Sequence, residues 1–68
     1  MHRKLDQLIT EMIEKGVTYR DALKEFERRF IIEALKKNNH RISHTAEFLG
    51  LNRNTLANKI KDYNIAYK

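Results

Sequence analysis

A chain of 68 residues makes one small domain and seldom buries enough apolar surface alone to outweigh its conformational entropy, so something must supplement the core. The lack of cysteine excludes disulfides and thiolate metal sites and suits a reducing cytoplasm, while 34% charged residues without a proline describe a helical, soluble composition. No apolar run approaches a transmembrane span or a signal peptide, and the net charge of +5 is unevenly placed.

Residues 1–16 balance Arg3, Lys4 and Lys15 against Asp6, Glu11 and Glu14, and residues 17–35 are balanced as well. Residues 36–68 set Lys36, Lys37, Arg41, Arg53, Lys59, Lys61 and Lys68 against only Glu47 and Asp62, and so hold the whole excess. A neutral half joined to a basic half favours a polyanion as partner of the second. The competing reading of the charge is a solubilising surface.

Along the chain, Leu5, Leu8, Ile9, Met12 and Ile13 recur with helical spacing and form one apolar stripe, which Gly16 ends as a left-handed cap. Thr18 with Asp21 resembles a capping box and starts a second helix that runs to about Asn38. Its first half carries Tyr19, Ala22, Leu23, Phe26 and Phe30 on one side. Its second half, FIIEAL, is apolar almost all round, as expected of a segment packed by several neighbours. One small protomer can hardly supply them, so the first two helices are expected to pair with those of a second copy, with Leu5, Leu8, Ile9, Met12, Tyr19, Leu23, Phe26 and Phe30 in the dimer interface. An ordinary intramolecular core is the plainer explanation of each stripe.

After KKNNHR, Ser43 is the expected N-cap of a third, short helix that stops at Gly50. Asn52 caps a fourth, which runs to about Asp62 and turns Leu56, Ile60 and Tyr63 inward; Asn64 can then take the left-handed conformation and let Ile65 fold back. Ala46 is small enough for a close helix crossing, Gly50 suits a positive φ, and Leu49, Leu51 and Leu56 can fill the wedge between the helices. Two short helices joined this way make a helix-turn-helix. The last helix turns Asn54, Ala57, Asn58 and Lys61 outward, with Arg53 and Thr55 on its flanks. Arg and Asn carry the forked donors and acceptors that match guanine and adenine edges in the major groove. Asparagine is also poor helix-forming material, so a merely solvated face does not account for it. Ser43 and the first amides of the third helix suit a phosphate, with Lys36, Lys37, Arg41 and His44 near in sequence.

The run FERRFIIEALKKNNHRISHTAEFLGLNRNTLANKIKDYNI resembles the C-terminal DNA-binding domain of the Fis family, known from the nucleoid protein Fis and from NtrC-type activators of sigma-54 promoters. The resemblance covers roughly residues 26–65 and is carried most specifically by AEFLGLNRNTL and the closing KIKDYNI. It implies an all-α fold of four helices per protomer, with residues 1–38 as dimerisation helices and residues 39–68 as the helix-turn-helix. It further implies that the last helix enters the major groove, that Asn52, Arg53 and Thr55 contact bases or phosphates, and that Ser43 meets the backbone. Asn54, Asn58, Lys59, Lys61, Arg41, His44 and Lys37 complete the expected DNA-binding set. A homodimer on palindromic double-stranded DNA follows, as does a bacterial, cytoplasmic and nucleoid-associated location. The sequence departs from the family at Ala57 and Asn58, where Arg or Lys is frequent, and at Asn64, where Gly is frequent.

The resemblance also implies that the chain is the C-terminal piece of a longer regulator whose other domains contact sigma-54 RNA polymerase. A stand-alone nucleoid protein and a helical dimerisation module that binds no DNA are the alternatives. Neither catalysis nor a cofactor is expected, because no nucleophile and base pair or phosphate loop is present. His40 and His44 lack a third ligand for a metal.

Overall fold

The computed structural model describes residues 2–66, which form four helices and no strand: α1 (His2–Glu14), α2 (Tyr19–Lys37), α3 (Ile42–Leu49) and α4 (Arg53–Asp62). All four stop the same way. A residue in the left-handed conformation follows the last turn, at Gly16, Asn39, Gly50 and Asn64, with φ of 78°, 55°, 71° and 56°. After each, the next N–H reaches back five residues: Val17 to the Met12 carbonyl, His40 to Leu35, Leu51 to Ala46 and Ile65 to Ile60, at 2.8–3.0 Å. This is the Schellman termination, which only Gly and Asn enter at low cost. His40 repeats the left-handed turn at φ 59° directly after Asn39, and no other described residue besides Gly and Asn has a positive φ.

The helix starts are equally local. Thr18 Oγ1 accepts the Asp21 N–H at 3.2 Å and Asn52 Oδ1 accepts the Asn54 N–H at 2.8 Å, as the sequence leads one to expect. Ser43 does not cap α3. The double left-handed turn at Asn39 and His40 brings the chain into helix at Ile42, so the extended residue before it, Arg41, takes the cap position without a side-chain bond. Ser43 lies inside the first turn, and the buried hydroxyl of Thr45 donates to the Arg41 carbonyl at 2.7 Å.

The core joins the last half of α2 to α3 and α4. Ile31 and Leu35 meet Ala46, Leu56, Ile60 and the folded-back Ile65, with Ile42, Leu49, Leu51 and Tyr63 packed around them. Ala46 supplies the close crossing and Leu56, fully buried, the wedge. Helix α1 stands apart: Leu5, Leu8, Ile9 and Ile13 are 40–68% exposed, and Met12 is half-buried. The radius of gyration of 13.5 Å exceeds the value of about 11 Å expected of a compact chain of this length. Helix α2 therefore belongs to two settings, with Tyr19, Leu23, Phe26 and Phe30 exposed at one end and Ile31, Ala34 and Leu35 buried at the other.

Candidate nucleic-acid interface

Helix α4 is ten residues long, and its inward side is fixed by Leu56 and Ile60, both buried. The helical period of about 100° per residue then turns Asn54, Asn58 and Lys61 to the opposite side, where all three are exposed. Thr55 is exposed on the flank, while Ala57 is half-buried against the fold. Asp62 is the one carboxylate of the helix and lies at its end. Asn52 spends its side-chain carbonyl on the cap and keeps its amide hydrogens for another acceptor.

Two side-chain pins hold α4. At its start, Arg53 donates from Nε to Ser43 Oγ at 3.2 Å, linking the first turns of the two helices of the helix-turn-helix. The terminal nitrogens of the guanidinium and the Ser43 hydroxyl proton are left for a ligand. Arg41 and His44 flank Ser43 in sequence and are exposed, as is Lys37 at the end of α2. The amides of Ile42, Ser43 and His44 open α3 and have no partner within the helix, so this corner offers backbone donors beside cationic side chains.

The second pin lies on the other side of α4. Glu27 of α2 accepts Lys59 Nζ on Oε2 at 2.9 Å and the Tyr63 hydroxyl on Oε1. Lys59 is thereby drawn onto α2 and away from the outer face formed by Asn54, Asn58 and Lys61. The Tyr63 hydrogen bond, followed by that of Lys59, holds the Glu27 carboxyl below the usual carboxylate range despite some desolvation. The same bond to Glu27 pushes the Tyr63 hydroxyl up, with burial and the Glu27 and Asp62 charges adding to it.

Sequence reasoning placed Lys59 among the DNA contacts, took Tyr63 as an inward apolar residue and did not single out Glu27. The available signal was that Lys59 and Tyr63 lie one turn apart and share a face, which a single acceptor can bridge. Nothing in the sequence named Glu27 as that acceptor, since it precedes them by 32 and 36 positions. The described residues contain no group of three or more His, Cys, Asp or Glu placed to hold a metal, and no described helix is long and apolar enough to cross a membrane.

Helices α3 and α4, with a left-handed Gly50 between them and an exposed polar face on the second, define a helix-turn-helix unit of the DNA-binding class. The chain belongs to the Fis family of bacterial regulatory proteins: the model described as "Bacterial regulatory protein, Fis family" matches residues 22–63, from the first turn of α2 to just past α4. It is accordingly a DNA-binding regulator. No curated protein and no solved structure matches the chain. Helix α1 lies outside the matched segment.

Proposed function

We propose that this chain binds specific, two-fold symmetric sites on double-stranded DNA as a homodimer, as the C-terminal domain of an NtrC-type enhancer-binding regulator. The observation that carries the DNA reading is the outer face of α4. Asn54, Asn58 and Lys61 are exposed together on a helix pinned at both ends, with Arg53 anchored at the entering end. Asn54 and Asn58 suit adenine edges, Arg53 a guanine edge or a phosphate, and Thr55 a thymine methyl or a phosphate. Asn52, Ser43, Arg41, His44, Lys37 and Lys61 supply backbone contacts around them. We leave Lys59, which the sequence also places in this set, outside it, because Glu27 engages it.

The homodimer rests on the apolar residues the single chain leaves uncovered. Leu8, Leu23, Phe26 and Phe30 are each more than half exposed, beside Leu5, Ile9, Met12 and Tyr19. Large apolar side chains exposed together mark interaction surfaces. The segments that carry it are charge-balanced, so two copies can approach without repulsion. The NtrC-type setting, with sigma-54 polymerase contacted through other domains, rests on the sequence resemblance.

Selection of binding sites from random duplexes, run beside a mass measurement in solution, tests the proposal. A dimeric mass and a selected site with two inverted half-sites are expected. A stable monomer, or binding indifferent to sequence as for a nucleoid-packing protein, would overturn it. Failure to bind any duplex at low salt would leave a dimerisation module instead.

A further inference from the structure

We infer that Glu27 is a positioning residue: by holding Lys59 and Tyr63 with one carboxylate, it fixes the pitch of the reading helix α4 on α2 and so sets the half-site spacing the dimer accepts. The inference rests on the dimeric DNA-binding reading above and adds to it a determinant of spacing.

The apolar contact between α2 and α4 does not select one geometry by itself. Ile31 and Leu35 against Leu56 and Ile60 are held by non-directional burial, and helix crossings of this kind scatter by about 15–20° about their preferred angles. The Glu27 contact is directional. Its two oxygens take donors from Lys59 on α4 and from Tyr63, the C-cap of α4 one helical turn later, so it fixes both the rotation of α4 about its axis and its position along it. The Lys59–Glu27 pair is partly solvated, with side chains 32% and 38% exposed, so its contribution to stability is small and its effect is geometric.

Glu27 also adjoins the surface proposed to pair two chains. It follows Phe26 in the sequence, and the rings of Phe26 and Phe30 meet with centroids 5.5 Å apart and planes tilted by 32°. Glu27, Lys59 and Tyr63 line the same groove as Leu23, Phe26 and Phe30. One carboxylate thus links the pairing surface to the reading helix. The scatter of such crossings matters at this scale. A swing of about 20° about a helix contact whose axes lie about 9 Å apart displaces the reading helix by about 3 Å, close to one base-pair rise.

The experiment takes the selected palindrome and its versions with one base pair added or removed between half-sites. Affinities are measured for the full chain and for Glu27→Gln, Tyr63→Phe and the double variant. A preference of the unaltered chain for one spacing is expected, and each single variant should flatten it by about threefold or more, a size typical of coupled contacts. The double variant should flatten it no further than Glu27→Gln alone, because the Tyr63 bond runs through the same carboxylate. Unchanged spacing preference in Tyr63→Phe, which keeps the ring packed, would overturn the inference even if Glu27→Gln folds poorly, and so would additive effects in the double variant. If the unaltered chain shows no spacing preference or binds a single half-site, the dimeric reading fails as well, and the two failures are told apart.

Discussion

Arg53, on the first turn of α4, reaches across the turn of the helix-turn-helix to donate its Nε–H to Ser43 Oγ at 3.2 Å. The bond orders a long side chain before any ligand arrives and leaves its terminal fork free, so the entropy of fixing it is not charged to binding. Arg53→Ala should lose about 1–3 kcal/mol of discrimination at one base position. Ser43→Ala should weaken the same position by less and leave the others unchanged. Equal losses on all sequences would move Arg53 to the phosphates.

Lys59 and Lys61 are two residues apart and should behave differently. Lys61 is exposed on the outer face, whereas Lys59 is engaged by Glu27. Lys61→Ala should reduce the slope of log affinity against log salt by about 0.9, the value for one phosphate contact. Lys59→Ala should leave that slope unchanged. A reduction with Lys59→Ala would show that it leaves Glu27 to meet the DNA.

Core and pairing surface should separate by concentration dependence. Leu56 is fully buried within the chain, and Leu56→Ala should cost about 2–5 kcal/mol of folding stability. Phe30 is 54% exposed in the single chain, so Phe30→Ala should act on association rather than on the protomer's own core. Thermal unfolding across a dilution series should show a midpoint that falls with concentration for the unaltered chain and falls further for Phe30→Ala. Midpoints independent of concentration would refute the pairing.

His40 holds a positive φ of 59° without the side chain that makes this inexpensive, and it is exposed. A left-handed residue other than Gly or Asn costs about 1–2 kcal/mol, against which glycine forfeits about 0.5–1 kcal/mol of unfolded-state entropy. His40→Gly should therefore stabilise the fold by about 0.5–1 kcal/mol in denaturant titration. A loss of stability would show that the imidazole contributes more than its exposure indicates.

The Glu27 contact should persist over a bounded pH range. Glu27 is lowered by Tyr63 and Lys59, so its contribution is complete above the ordinary glutamate value of about 4.3 and is lost as pH falls through the lower folded value. Tyr63 is raised by Glu27, so its contribution is complete below about 10 and is lost as pH rises through the higher folded value, with Asp62 adding to the shift. Arg20 and Lys24 line the same groove. The stability difference between the unaltered chain and Glu27→Gln should thus be flat between these limits and shrink on the acid side. An acid limb retained in Glu27→Gln would assign it to another carboxylate.

The sequence made the ends of helices legible because their determinants are local. Gly16, Gly50 and Asn64 are the residue types that tolerate a left-handed turn, and Thr18 and Asn52 carry a cap oxygen at the right distance. The same reasoning misplaced Ser43, because the second left-handed residue, His40, has a type that seldom signals one. The stripe on α1 was legible as a stripe, but periodicity reads alike for a face buried in its own chain and one awaiting another. Of the candidate site, the outer face of α4 followed from the inward positions of Leu56 and Ile60. The fate of Lys59 did not, since it depends on a carboxylate brought near only by the tertiary fold.

Helix α2 runs 19 residues from Tyr19 to Lys37 with no glycine or proline, and the same rod that bears the uncovered aromatic rings ends inside the core of the reading head. A dimer assembled on two such rods has no joint between its coupling and its heads. Adaptation to an imperfect operator then falls to the duplex, whose flexure over 20–30 base pairs costs about 1–6 kcal/mol depending on sequence. In such a dimer the supple steps of the DNA between half-sites, which the protein need never touch, would become part of what it recognises.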